Sequence, residues 1–126
     1  MERFLIAIAA LAGASAVIAD ASAQHLLAGD PGRVELAGTA ARYGLMHAAA
    51  LVGIAALLRQ AGPARAWLLG AAWCFVAALL LFCGTLYLHA AGLAPALAPL
   101  VPVGGTLFII AWLLLGIHAL APRPPA

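Results

Sequence analysis

Long apolar runs, broken by isolated arginines and by glycine- and proline-bearing turns, dominate the pattern along the chain. Such runs read as membrane-crossing helices. About 20 apolar helical residues cross a hydrocarbon core of about 30 Å and satisfy every backbone N–H and C=O internally. Four runs meet that requirement. The first covers about residues 4–23, with Asp20 held at the interface. The second, at about 39–58, contains Arg42 near its start, ends before Arg59, and is short unless its helix begins near Gly38. The third, at about 66–89, opens on Trp67 and passes through Leu79, Leu80, Leu81 and Phe82. The fourth, at about 100–121, follows Pro95, Pro99 and Pro102, which a helix tolerates at its start but not in its interior. Between them lie an outer loop at 24–38, an inner turn at 59–65 around Gly62 and Pro63, and an outer link at 90–99. Short connections favour antiparallel neighbours. The predicted fold is all-α: a single domain over residues 1–126, a polytopic up-down antiparallel four-helix transmembrane bundle.

Composition agrees and narrows the function classes. Of the 126 residues, 67% are apolar and 8% charged, and the mean hydropathy is +1.12, whereas soluble domains carry about a quarter charged residues. A disordered segment would need low hydrophobicity, and a nucleic-acid module would need a basic stripe that a net charge of +2 does not supply. The expected surroundings are a lipid bilayer. Arg3, Arg59, Arg65 and Arg123 fall on one side of a four-span chain; Arg33 and Arg42 fall on the other, diluted by Asp20, Asp30 and Glu35. Because translocating positive charge is disfavoured, both termini are expected in the cytoplasm of a bacterial-type inner membrane. Arg3, the apolar run and Ala21-Ser22-Ala23 also fit a cleavable secretory signal, which would leave three spans with the same sidedness. A retained first helix completes an even antiparallel set and is the preferred reading.

Membrane helices associate through close packing, so small residues mark contact stripes. Ala9, Gly13 and Ala16 form one on the first helix, and Ala49, Gly53 and Ala56 one on the second. Cys74 and Cys83 are nine positions apart and point to opposite sides of one helix, where they read as small hydrophobes. No metal-binding spacing is present in the sequence.

Polar groups at membrane depth are costly and are often functional. His25 lies just beyond the first span and His89 closes the third, both on the outer side. His47 lies about one turn inside the second span and forms a polar stripe with Tyr43, four residues earlier. His118 belongs to the inner end of the fourth span. The leading expectation is interhelical or loop-anchoring hydrogen bonds, with no cofactor and no metal. The rival is ligation of haem b iron or copper by His47 with His25 or His89, since imidazole suits both metals. Glu35 and Arg42, seven apart, share a helix face if the second helix starts early, and with Asp20 would tie the first loop to the bundle by an ion pair. Spans two to four hold no acidic group at depth, which sets a small-solute channel or carrier behind the other readings.

Ala23 to Leu26, Thr39 to Ala48, Phe82 to Leu88 and Pro102 to Trp112 together resemble the DUF423 family of small membrane proteins, with its bacterial YgdD-like and eukaryotic transmembrane protein 256-like branches. Ala23-Gln24-His25-Leu26 stands where the family has a small-residue stretch ending in Ala-His-Gly-Leu. Thr39 to Tyr43 followed by Met46-His47-Ala48 is similar to its aromatic-plus-histidine start of the second helix. Phe82-Cys83-Gly84-Thr85-Leu86-Tyr87-Leu88 resembles its Phe-Ser-Gly-Ser-Leu-Tyr pattern, and Pro102 to Ile109 with Trp112 its Pro-x-Gly-Gly start of a fourth helix. The resemblance implies a four-helix inner-membrane protein and no agreed biochemical activity. Asp20, Ser22, Cys83 and His89 depart from the pattern, whereas His25 and His47 match it.

The expected role is that of a non-enzymatic helix-packing or accessory subunit, in a homo-oligomer or a larger membrane complex. Gly104-Gly105 after Pro102 lets the fourth helix start beside another backbone, expected at the Gly84 turn of the third.

Overall fold

The computed structural model describes residues 1–60 and 62–122. Four helices are each long and apolar enough to cross a membrane: α1 (Glu2–Leu26), α2 (Pro31–Leu57), α3 (Arg65–Ala90) and α4 (Leu100–Leu120). Among the described residues there is no strand, and the protein is an all-helical bundle. A 3-10 turn at Pro95–Leu97 lies in the link before α4.

The expected outer loop at 24–38 is replaced by a tight turn, because α2 begins eight residues earlier, at Pro31 instead of about 39. Its start is well specified. The Asp30 carboxylate accepts the Arg33 backbone N–H at 3.2 Å, satisfying one of the donors that a helix start leaves unpaired, and Pro31 occupies a position where no N–H is needed. The polar first turns of α2 therefore continue the helix beyond its apolar stretch.

The third helix is not uniform. It is α-helical over Arg65–Ala78, takes a wider π-helical turn over Leu79–Gly84, and returns to α over Thr85–Ala90. Helix α1 packs chiefly along α2, α2 against α3, and α4 along α3. The two central helices bury 44% and 39% of their most apolar windows, against 17% in α1 and in α4, so α2 and α3 form the inside and α1 and α4 flank them. Leu5, Leu51, Ile54, Leu58, Leu68 and Phe75 are fully buried between alanines such as Ala40, Ala55, Ala71, Ala72, Ala78 and Ala111. Small side chains bring the backbones close, and the few large ones fill what remains.

Of the two expected small-residue stripes, only the first makes contact, at Ala9 and Ala16 but not at Gly13, where an added Cβ would meet nothing within 4 Å among the described residues. Ala9 and Ala16 are buried, but Ala49, Gly53 and Ala56 face outward. The buried face of α2 instead carries Ala37, Ala41, Gly44, Ala48 and Ala55 together with His47, Leu51 and Ile54. Alanine lies on every side of this helix, so the face is decided by the large apolar residues and by the polar ring that must be hydrogen-bonded inside.

Side chains tie the bundle at both ends. At the end that carries Arg3, Arg59 and Arg65, the Arg65 guanidinium donates to the Leu58 carbonyl at 2.8 Å and to the Glu2 carboxylate at 3.2 Å, and His118 Nδ1–H donates to the Ala64 carbonyl at 3.1 Å. At the opposite end Arg33 Nε–H donates to the Ala90 carbonyl at 2.5 Å. Arg123, the fourth member of the first arginine set, lies outside the described residues.

Candidate functional site

His47 is 2% exposed and sits where α2, α3 and α4 meet. Its ring stacks on Phe108, with centroids 3.7 Å apart and planes 18° from parallel, and is bordered by Tyr43, Phe75 and Trp112 at 5.8, 5.3 and 6.2 Å. Both ring nitrogens are engaged. Trp112 Nε1 is a donor only, so its 3.3 Å contact makes His47 Nε2 the acceptor, and Nδ1 carries the proton that is donated to the Tyr43 carbonyl at 2.7 Å. The ring thereby joins α2 to α4 while filling an aromatic box, the interhelical hydrogen bond expected of it. A metal could reach His47 only by displacing one of these partners.

The other histidines lie apart. His25 is exposed in the last turn of α1. His89 is half-buried and its Nε2–H donates to the Pro95 carbonyl at 3.4 Å, anchoring the link before α4. Among the described residues no three His, Cys, Asp or Glu side chains gather into a group that could hold a metal. Cys74 is half-buried and Cys83 buried, both free thiols.

Glu35 and Arg42 do share a face of the early-starting α2 and pair at 2.8 Å, with Thr39 between them accepting from Arg42 at 2.9 Å and donating to Glu35 at 3.1 Å. This cluster is exposed and lies within one helix, so it reinforces the first turns of α2; it does not tie a long loop to the bundle. The Asp20 carboxylate approaches it from α1. A Cβ built on Gly38 would lie 3.6 Å from Asp20 Oδ1 and 3.5 Å from Arg42 Nη1.

The glycine contact between α3 and α4 is real, but it is made two residues before Gly84. A Cβ on Gly104 would lie 2.5 Å from the backbone nitrogen of Phe82 and 2.9 Å from its Cα, distances no side chain can occupy, so only glycine permits this approach. Among the described residues a Cβ on Gly105 would meet only the Phe82 ring, at an ordinary contact distance of 3.8 Å, and one on Gly84 would be nearly clear of neighbours. Pro102 sits in the first turn of α4, where its carbonyl accepts from Thr106 Oγ1 at 2.9 Å. Phe82 is thus fixed from one side by Gly104 and touches the His47 box from the other, 4.8 Å from Tyr43 and 5.7 Å from Phe108.

On the other side of α2 lies a different environment. A cavity of about 480 Å³ opens between α1, α2 and the π-helical turn of α3, and a second of about 330 Å³ lies at the Arg33 end; Tyr87 lines both. The Tyr87 hydroxyl is buried and finds no hydrogen-bond partner among the described residues. Gly44 makes the room it occupies, since a Cβ there would come within 3.5 Å of that hydroxyl and 3.3 Å of Ala16 Cβ.

Sequence reasoning singles out His47 and Tyr43 but misses Phe75, Phe108 and Trp112 as their counterparts, and misses Tyr87 on the other side of α2. The one available signal was the i, i+4 spacing of Phe108 and Trp112, which repeats that of Tyr43 and His47 and puts each pair on one helix face. No curated protein and no solved structure matches the chain. Residues 19–105, which include Tyr43, His47, the Phe82 turn and Gly104 but not Phe108 or Trp112, match DUF423, described as a protein of unknown function, and the chain belongs to that family.

Proposed function

We propose that the chain is a non-enzymatic, multi-pass protein of a bacterial-type inner membrane, a helix-packing or accessory subunit that associates with itself or with a larger membrane complex, with α1 retained and both termini in the cytoplasm. The observation that carries this reading is the outward stripe Ala49, Gly53 and Ala56 on α2. A Cβ on Gly53 would meet nothing within 4 Å among the described residues, so this central helix offers a shallow surface to a further helix. Without a hydrophobic driving force between helices in lipid, such close-approach surfaces are what associate. Short connections between the helices leave little chain outside the bundle for a soluble catalytic site. Arg3, Arg59 and Arg65 share one end of the bundle and support the cytoplasmic placement of that end. The uninterrupted course of α1 through Ala21-Ser22-Ala23, with Ala23 packed on Ala37 and Ala90, supports its retention.

Co-purification from native membranes in mild detergent tests the reading. A constant partner, or a second copy, is expected with the wild-type chain and is expected to be lost with Gly53→Leu while the melting temperature holds. A monomer without partner in both preparations contradicts it. A Soret band that disappears in His47→Ala would replace it with the haem-carrying alternative.

A further inference from the structure

The environment of Tyr87 goes beyond what helix packing requires. Three features meet there independently: an apolar cavity, a π-helical turn in its wall and a buried hydroxyl without a partner among the described residues. The cavity of about 480 Å³ is within the range of small-molecule sites and is walled by apolar side chains of α1 and α3, with Gly44 at its floor. The π-helical turn contributes Leu79, Leu80, Cys83 and Gly84 to it, and single π turns inside α-helices recur at functional sites. An unpaired hydroxyl in a dry setting is destabilising unless something accepts its proton.

The arrangement also has a direction. From Val76 to Tyr87 the cavity follows α3 for eleven residues, about 16 Å at the helical rise, which is close to half of a hydrocarbon core of about 30 Å. Past Tyr87 it gives way to the second cavity, of about 330 Å³, which reaches Ser22 and Arg33 at the end of the bundle. Arg33 uses Nε on the Ala90 carbonyl, and among the described residues it is in no ion pair, so its Nη groups remain as donors. Apolar wall at depth, the unpaired Tyr87 hydroxyl above it and a guanidinium at the interface follow the order of groups along a glycerophospholipid.

We propose that the groove between α1, α2 and α3 binds one anionic phospholipid from the leaflet at the Arg33 end, with an acyl chain in the larger cavity, an ester carbonyl accepting from the Tyr87 hydroxyl and the phosphate at Arg33. The proposal rests on the bilayer placement of the helices, but not on the accessory role. A guanidinium donates paired N–H bonds to the phosphate of either lipid class; the anionic headgroup is favoured by net charge, since it carries no choline cation to offset the attraction.

Native mass spectrometry of the full chain, purified in mild detergent and titrated with phosphatidylglycerol or phosphatidylcholine, tests it. The wild type is expected to retain a single phosphatidylglycerol in preference to phosphatidylcholine. Tyr87→Phe is expected to weaken retention about fivefold, the factor a hydrogen bond of ordinary net strength contributes, and Arg33→Gln to remove the preference between the two lipids. Ser15→Phe, at an exposed position lining the cavity, is expected to abolish retention with the melting temperature unchanged. Equal retention by the wild type and Ser15→Phe overturns the site; equal affinity for both lipids in the wild type overturns the headgroup assignment. A second copy of the chain cross-linked through position 15 in native membranes assigns the groove to a protein contact and also overturns the proposal. Recovery of the chain in the carbonate-soluble fraction contradicts the bilayer reading itself, a failure distinct from any of these.

Discussion

His47 and Tyr87 are two polar aromatic rings on opposite sides of the same central helix contact, and they are treated in opposite ways. His47 is closed in a box of Tyr43, Phe75, Phe108 and Trp112 with both nitrogens bonded. Tyr87 faces two cavities with its hydroxyl unpaired among the described residues. A buried polar group bonded on all sides contributes to holding helices in one arrangement; one left without a partner is a group available to a ligand. The difference separates a structural half of the bundle, α2–α3–α4, from a half with room in it, α1–α2–α3.

The largest expected effect comes from the element both halves share. Phe82 lies in the π-helical turn, borders the His47 box and is pressed by Gly104, while Leu79 and Cys83 of the same turn line the cavity. Gly104→Leu must drive the α3 and α4 backbones apart. A destabilisation of about 3 kcal/mol is expected in detergent melting, with loss of both lipid retention and the Trp112 environment read by fluorescence. A melting curve like that of the wild type would show that the close approach at Phe82 does not constrain the bundle. Gly105→Ala, one residue along, is expected to be nearly silent because its neighbour is at ordinary contact distance.

His47→Ala is next, at about 2 kcal/mol, from lost aromatic packing, the bond to the Tyr43 carbonyl within α2 and the bond from Trp112, of a kind that averages below 1 kcal/mol between membrane helices. It should shift Trp112 emission and leave phospholipid retention at the Tyr87 groove unchanged. A fall in retention equal to that of Tyr87→Phe would merge the two regions into one. The smallest effect is that of Tyr87→Phe on stability: within about 0.5 kcal/mol, because the hydroxyl it removes has no partner to lose.

The four helices were legible because the signal for a membrane helix is a run of apolar residues, and these runs are long. The start of α2 was not, although Asp30 and Pro31 are a helix-start signature. Gly32, Arg33 and Glu35 lower the local hydropathy, and a reading based on apolar runs trims such turns away. The choice of face on α2 failed for a related reason. With alanine or glycine at 32, 37, 38, 40, 41, 44, 48, 49, 50, 53, 55 and 56, small residues occur all round the helix and their spacing selects no side. The paired glycines reveal a close approach by α4 but not that it falls at Phe82 instead of Gly84, since nothing in the sequence marks a π-helical turn at Leu79–Gly84. His47 was recognised as costly at depth, but its partner Trp112 is 65 positions away, and no local pattern pairs them.

The contrast between the two rings is tested most directly by melting His47→Ala and Tyr87→Phe side by side in one detergent, with retained phosphatidylglycerol measured on the same samples. The expected result is a lowered melting temperature with lipid kept for His47→Ala, and an unchanged melting temperature with lipid weakened for Tyr87→Phe. Equal losses of stability with lipid retention unaltered in both would show that Tyr87 is as structural as His47, and would contradict the division of the bundle into a closed half and a binding half.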